Sequence, residues 1–205
     1  MYGGVEKTPA MKEADKKLVE TVLAHGETRE SGARRAVRRG FDALHQGDLS
    51  TAIKRFNQAW LLDPKFGGAY WGFATILAER DRKVSAAERM FERAKDLLPQ
   101  DADLEVDYGQ FMGKSNRPQS AIEHFKRALA LNPAARDAQA GLATAYAELG
   151  DFAQALVHAK ISVERKEYLP PAVVPAFACM AELLEKNARP TEAQQRACLS
   201  KASAR

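Results

Sequence analysis

The sequence predicts an all-α fold: a right-handed α-α superhelix of about four to five helix pairs, preceded by one N-terminal helix. Three observations predict it. A phrase recurs every 34–35 residues, in which Ala52, Phe56, Ala59 and Pro64 are echoed by Ala87, Phe91, Ala94 and Pro99, then by Ala121, Phe125, Ala128 and Pro133. A period of this size belongs to stacked supersecondary units and not to one globular core. Within a unit, Ala52, Ile53, Phe56, Ala59 and Trp60 recur at spacings of three and four, which places them on one helical face. Small residues recur as well: Gly40, Ala74, Gly109 and Ala143 in the first helix of each unit, and Ala52, Ala87, Ala121 and Ala155 in the second. Two helices approach closely where such side chains face each other, with Phe56, Phe91 and Phe125 filling alongside.

Taken in order, residues 1–31 form an N-terminal extension. Thr8 caps a helix that carries Pro9 in its first turn and runs to about His25. Its stripe of Met11, Ala14, Leu18 and Val22 needs a surface to pack on. The first repeat is the expected surface; the groove of the array and a second subunit are the alternatives. Residues 32–167 hold four units, at about 33–66, 67–101, 102–135 and 136–167. In GDLS (47–50), Gly47 suits a left-handed helix end and an Asp or Ser caps the next helix. Pro64 closes the second helix, because the residue before a proline is pushed out of the α region. The one extra residue of the second unit falls between Leu77 and Ala87, in the ERDRKVS turn. Residues 168–205 read as a degenerate fifth pair that caps the array, with one helix from Pro170-Pro171 to about Asn187 and a last one opened by Pro190-Thr191.

Composition excludes several classes. With 45% apolar and 28% charged residues, the chain is neither disordered nor membrane-spanning in character. No apolar run approaches the roughly 18–20 residues that cross a bilayer. A net charge of +4 is too mild to imply nucleic acid. The cluster Arg29, Arg34, Arg35, Arg38 and Arg39 lacks interleaved aromatics or a nucleic-acid module. MYGGVEKTPAMKE contains no apolar signal core. The protein is therefore expected in the periplasm if a leader has been removed, and in the cytoplasm otherwise.

The repeating residues resemble those of the tetratricopeptide repeat family, in the manner of bacterial scaffold members. They read Gly40-Ala52-Phe56-Ala59-Pro64, Ala74-Ala87-Phe91-Ala94-Pro99 and Gly109-Ala121-Phe125-Ala128-Pro133, with a looser fourth copy in Ala143, Tyr146, Gly150, Ala155 and Ala159. The sequence departs from the family at Ala36 and Arg39, where a Trp and a Leu are usual, and at Ala43, Leu77 and Met112, where an aromatic is usual. The resemblance implies that the inner surface is built from the first helix of each pair. Arg34, Val37, Arg38, Phe41 and His45 come from the first unit, and Trp71, Gly72, Thr75 and Glu79 from the second. Asp103, Val106, Asp107, Gln110 and Lys114 follow from the third, and Asp137, Ala140, Thr144 and Glu148 from the fourth.

Phe41 and Trp71, beside the small Gly72 and Thr75, have the composition of a peptide-anchoring pocket. Trp71 is otherwise core, because Tyr70 and Trp71 are adjacent and one of them faces the helix pair. The Arg34/Arg38 and Asp103/Asp107 pairs each share a helical face and would orient a bound segment, unless they are a solvated surface. The carboxylate clamp of the family's chaperone-binding members is not expected. Its positions hold Val37, Phe41, Gly72, Asp103 and Asp107, which supply no cation.

No catalytic machinery is expected, and no cofactor or metal. His25, His45, His124 and His158 lack ligand spacing, and there is no phosphate loop or nucleophile elbow. Cys179 and Cys198 lie about equally far from the expected turn at residues 188–189. They are either a disulfide stapling the last hairpin in an oxidising compartment or two small buried hydrophobes. The functional expectation is a non-catalytic scaffold that binds a peptide or helical segment of a partner protein, in the assembly of a larger complex. The alternative is a homo-oligomer that self-associates through its N-terminal helix.

Overall fold

The computed structural model describes residues 6–79, 84–169, 174–186, 191, 193, 194, 197 and 198. Ten helices, and no strand, occur among the described residues: α1 (Pro9–Ala24), α2 (Arg29–His45), α3 (Leu49–Leu62), α4 (Gly67–Glu79), α5 (Val84–Leu97), α6 (Ala102–Lys114), α7 (Pro118–Leu131), α8 (Ala138–Glu148), α9 (Phe152–Glu164) and α10 (Val174–Lys186). The chain divides into two compact units, Met1–Gln100 and Asp101–Arg205. The turn expected to absorb the extra residue, at 80–83, lies outside the described residues, as do Pro170-Pro171 and the turn at 188–189.

Local chemistry sets the helix ends. Asp48, Asp101 and Asp151 accept hydrogen bonds from the backbone of Thr51, Leu104 and Gln154 at 3.0–3.1 Å, each satisfying an orphan donor of the helix it caps. The turns before α3 and α9 require positive φ, which Gly47 (76°) and Gly150 (78°) adopt at no steric cost, while Asn116 (58°) fills the corresponding place before α7. At the far end of α3 and α7, Asp63 and Asn132 accept from the amides of Lys65 and Ala134, which turns the chain past Pro64 and Pro133.

In unit 1, α2 packs on α3 and α4 on α5, and α4 also touches α2 and α3. Phe56, fully buried on α3, is held between two glycines. A Cβ added to Gly40 on α2 would stand 2.5 Å from its ring, and one on Gly72 of α4 would stand 2.3 Å away. Close approach on both sides needs glycine there. α1 rests on this unit, with Thr8 accepting from the Met11 amide at its start and Val22 buried against Gly32. Ala14, expected in the buried stripe, is exposed; Val19, on the turn before Val22, packs against the unit.

In unit 2, α6 packs on α7, α8 on α9, and α10 on α9. Phe125 of α7 repeats the arrangement of Phe56: a Cβ on Gly109 of α6 would lie 2.8 Å from its ring, and one on Gly141 of α8 would lie 2.3 Å away. Ala143, Phe152, Ala155, Leu156, Phe177 and Met180 continue the core toward the C-terminus. The two units echo each other at a spacing of 69 residues, in Gly40/Gly109, Phe56/Phe125, Gly72/Gly141, Ala74/Ala143, Thr75/Thr144 and Glu79/Glu148.

Candidate functional site

On unit 1, the outer side of the Phe56 clasp is closed by the chain itself. Phe41 of α2 meets the Phe56 ring edge-on at 5.1 Å, and Trp71 of α4 lies 4.7 Å from Phe41. Both are half-buried. Tyr70 points elsewhere: its hydroxyl donates to the Pro64 carbonyl at 2.9 Å and stands 3.3 Å from the Trp60 indole nitrogen. Adjacent aromatics are thus shared between two surfaces of α4. Gly72 serves the packing of Phe56. Val37 sits against Gly68, and the Thr75 hydroxyl donates to the Trp71 carbonyl. Arg34 is exposed, paired with Glu30 at 2.8 Å and 5.8 Å from the Phe66 ring centre; Arg38 is exposed one turn further on.

On unit 2 the corresponding outer side is open. Gln110 stands where the 69-residue echo puts Phe41, and Ala140 where it puts Trp71. A cavity of about 430 Å³ results, walled by Gly109, Gln110, Gly113, Ala140, Gly141, Thr144 and Ala145, with Phe125 and Ala121 among its apolar lining. Lys114, Asp137, Glu148 and Tyr168 supply its polar margin. Burial pushes the Glu148 carboxyl above its ordinary value, and no hydrogen bond or ion pair among the described residues offsets that cost. Asp103 is exposed and Asp107 half-buried on α6, outside the cavity lining.

The start of α8, which forms one wall, is held from the loop after α9. Glu167 accepts from the Ala140 amide at 2.9 Å, and Arg165 donates to the Pro133 carbonyl at 2.7 Å. Asp137, left-handed at φ 61°, accepts from the Tyr168 amide at 3.4 Å. Burial is the main cause raising the Glu167 carboxyl, opposed by its hydrogen bond from Ala140.

The two histidines of unit 2 are held within their own helix pairs. His124 Nδ1 lies 2.6 Å from the buried Glu105 and stacks on Tyr108 at 4.1 Å. Arg127 Nε approaches the same carboxylate at 2.8 Å, in ion-pair range though without hydrogen-bond alignment. His158 Nδ1 lies 2.6 Å from the Gln139 carbonyl oxygen, and its ring is parallel to Tyr146 at 5.5 Å. Burial, aided by Lys126, lowers the His158 pKa below its ordinary value. Among the described residues no group of three or more His, Cys, Asp or Glu is placed to hold a metal ion. Cys179 of α10 and Cys198 are joined as a disulfide, with Cα atoms 5.5 Å apart.

The sequence reading names Gln110, Lys114, Asp137, Ala140, Thr144 and Glu148 as inner surface but does not reveal that they surround a cavity. Gly113, Gly141, Ala145 and Tyr168 were missed. The signal that would have found it is the 69-residue echo, which shows Phe41 and Trp71 exchanged for Gln110 and Ala140 over an unchanged Phe-and-glycine floor.

Two family profiles, both described as tetratricopeptide repeat, match residues 37–102 and 114–158, together more than half of the chain. Among solved structures, PilF of Pseudomonas aeruginosa aligns with a TM-score of 0.64 at 19% identity, over 85% of this chain and 77% of its own. YrrB, described as a TPR protein with an unusual peptide-binding site, gives 0.60 at 20% identity over 90% of both chains. PilW, described as a widely conserved type IV pilus biogenesis factor, gives 0.60 at 22% identity over 84% of this chain and 76% of its own. At these identities the likeness is one of fold. No curated protein matches the sequence.

Proposed function

Because the chain belongs to the tetratricopeptide repeat family, a family of protein-interaction scaffolds that are generally non-catalytic, we propose that it binds a peptide or helical segment of a partner protein in the assembly of a larger complex. The observation that carries this reading is the open apolar cavity over Phe125. Concave apolar sites edged by a few polar groups are where ligands gain affinity, and a soluble chain that leaves one unfilled forgoes the stability of packing it. On unit 1 the proposed contact surface is Arg34, Val37, Arg38, Phe41, Trp71 and Thr75; on unit 2 it is Asp103, Asp107, Gln110 and Thr144. A C-terminal carboxylate is not the proposed ligand, since Val37, Phe41 and Gly72 offer it no cation and Asp103 and Asp107 repel it.

α1 commits Val19 and Val22 to unit 1, which favours the scaffold reading over self-association through that helix. The disulfide between Cys179 and Cys198 supports an oxidising compartment such as the periplasm over the cytoplasm. The likeness to PilW, described as a pilus biogenesis factor, makes assembly of a pilus-type complex one place to search for the partner.

The test is quantitative capture from native lysate by the full chain, by Phe41→Ala/Trp71→Ala, and by Gln110→Ala/Thr144→Ala. At least one protein retained by the full chain should be depleted by one of the double variants. Identical captured sets across all three would overturn the proposal.

A further inference from the structure

The cavity of unit 2 has a filled counterpart in unit 1, and the filling describes what fits. Over Phe56, the Phe41 ring stands edge-on at 5.1 Å with Trp71 beside it at 4.7 Å. Over Phe125 the floor is the same, down to a glycine on each side of the ring, but Gln110 and Ala140 leave about 430 Å³ unoccupied. An apolar cavity of about 150 Å³ already accepts a benzene ring. The space above Phe125 therefore admits an indole with part of its neighbouring residue.

We propose that this cavity receives a phenylalanine or tryptophan side chain from a partner segment that carries a lysine or arginine close beside it, the aromatic ring taking over Phe125 the place that Phe41 takes over Phe56. The inference rests on the scaffold reading above and deepens it by naming the anchor. The aromatic part follows from the internal template. The basic part follows from the margin. Lys114 already interacts within the chain, and Asp137 is engaged by the Tyr168 amide. Glu148 stands exposed at the cavity margin, with no ion pair among the described residues. A partner ammonium or guanidinium would supply one, and an acidic neighbour would be repelled. Tyr168, 70% exposed at the cavity mouth, offers a ring face to the same cation.

The experiment uses the full chain and a plugged variant, Gln110→Phe/Ala140→Trp, which copies unit 1. Thr144→Trp is a single-site block in case the double variant does not melt cooperatively by circular dichroism. Two probes are applied: 5-fluoroindole, followed by fluorine NMR, and a displayed library of random twelve-residue peptides. The full chain should broaden and shift the fluoroindole signal, and the plugged variant should not. Selected peptides should share an aromatic residue with Lys or Arg within four positions, and should bind the plugged variant at least tenfold more weakly. Glu148→Gln should weaken them about threefold at low salt, an effect that shrinks as salt is raised.

Selected peptides that lack an aromatic, or that bind the plugged variant equally, would overturn the anchor and leave the scaffold reading standing. Fluoroindole binding with no peptide selected on the full chain would overturn the scaffold reading, and the partner segment with it. A dimer by light scattering that becomes a monomer on plugging would assign the cavity to a second copy of the chain and overturn the proposal.

Discussion

Unit 1 and unit 2 clasp a phenylalanine between two glycines in the same manner, and they differ in what lies over the ring. Phe56 is covered by Phe41 and Trp71, whereas Phe125 faces a cavity edged by Gln110, Ala140 and Glu148. Close approach of helices through Gly40/Gly72 and Gly109/Gly141 is a requirement of the fold, so it is repeated. The cover is not required by the fold, so it varies. One unit uses the site for its own packing, and the other leaves it open. Their polar interiors diverge as well: unit 2 buries Glu105 beside His124 and sets Gln139 against His158, while unit 1 has Ala36 and Tyr70 in the places of Glu105 and Gln139.

The largest expected effect comes from removing the clasped rings. Phe56→Ala and Phe125→Ala should each cost about 3–5 kcal/mol, through lost transfer energy and the cavity left behind. Phe56→Ala should lie at the upper end, because Phe41 and Phe73 both lose a ring partner. Urea denaturation of the two variants checks the order, and the reverse order would break the comparison.

A smaller difference should separate the glycines. Gly72→Ala forces a methyl against a Phe56 ring that is enclosed on its other side, and should cost about 2 kcal/mol. Gly141→Ala meets Phe125 as closely, but that ring has open space to move into, so the cost should fall to about 1 kcal/mol or less once the helix preference for alanine is included. Equal melting shifts for the two variants would mean that the cavity gives no relief.

The smallest effect is a pH dependence confined to unit 2. His158 holds a proton less tightly when folded than when unfolded, where its ordinary value of 6.5 applies. Its contribution to stability is therefore complete above about pH 6.5 and is lost as pH falls below that value. The urea midpoint of the wild-type chain should drop between pH 7.5 and pH 5.5 by more than that of His158→Gln. Matching drops would show that the half-buried imidazole plays no part.

The repeat was legible because helix packing dictates it: Ala52, Phe56, Ala59 and Pro64 each have one physical task, and the task recurs with the period. The start of α1 at Thr8-Pro9 was legible for the same reason, since capping chemistry is local. Its buried stripe was only partly so. Ala14 lies on the expected face, yet burial depends on which surface the helix leans against, and that is a tertiary fact. The cavity was hidden for a related reason. Gln110 and Ala140 are unremarkable residues singly, and they signify a space only when Phe41 and Trp71 are seen to fill the equivalent one. That Gly72 serves the packing of Phe56 is likewise a tertiary fact, since the ring belongs to the preceding helix.

Both tryptophans of the chain, Trp60 and Trp71, belong to unit 1. Each sits in a distinct setting, Trp60 beside the Tyr70 hydroxyl and Trp71 against Phe41. Selectively excited indole emission is thus an intrinsic optical reporter of one unit, silent on the other, whereas far-ultraviolet ellipticity sums the helices of both. Recorded on a single sample through one titration, the two signals trace either one curve or two. Their separation would measure how far the halves of a duplicated chain melt as independent bodies, with no label introduced.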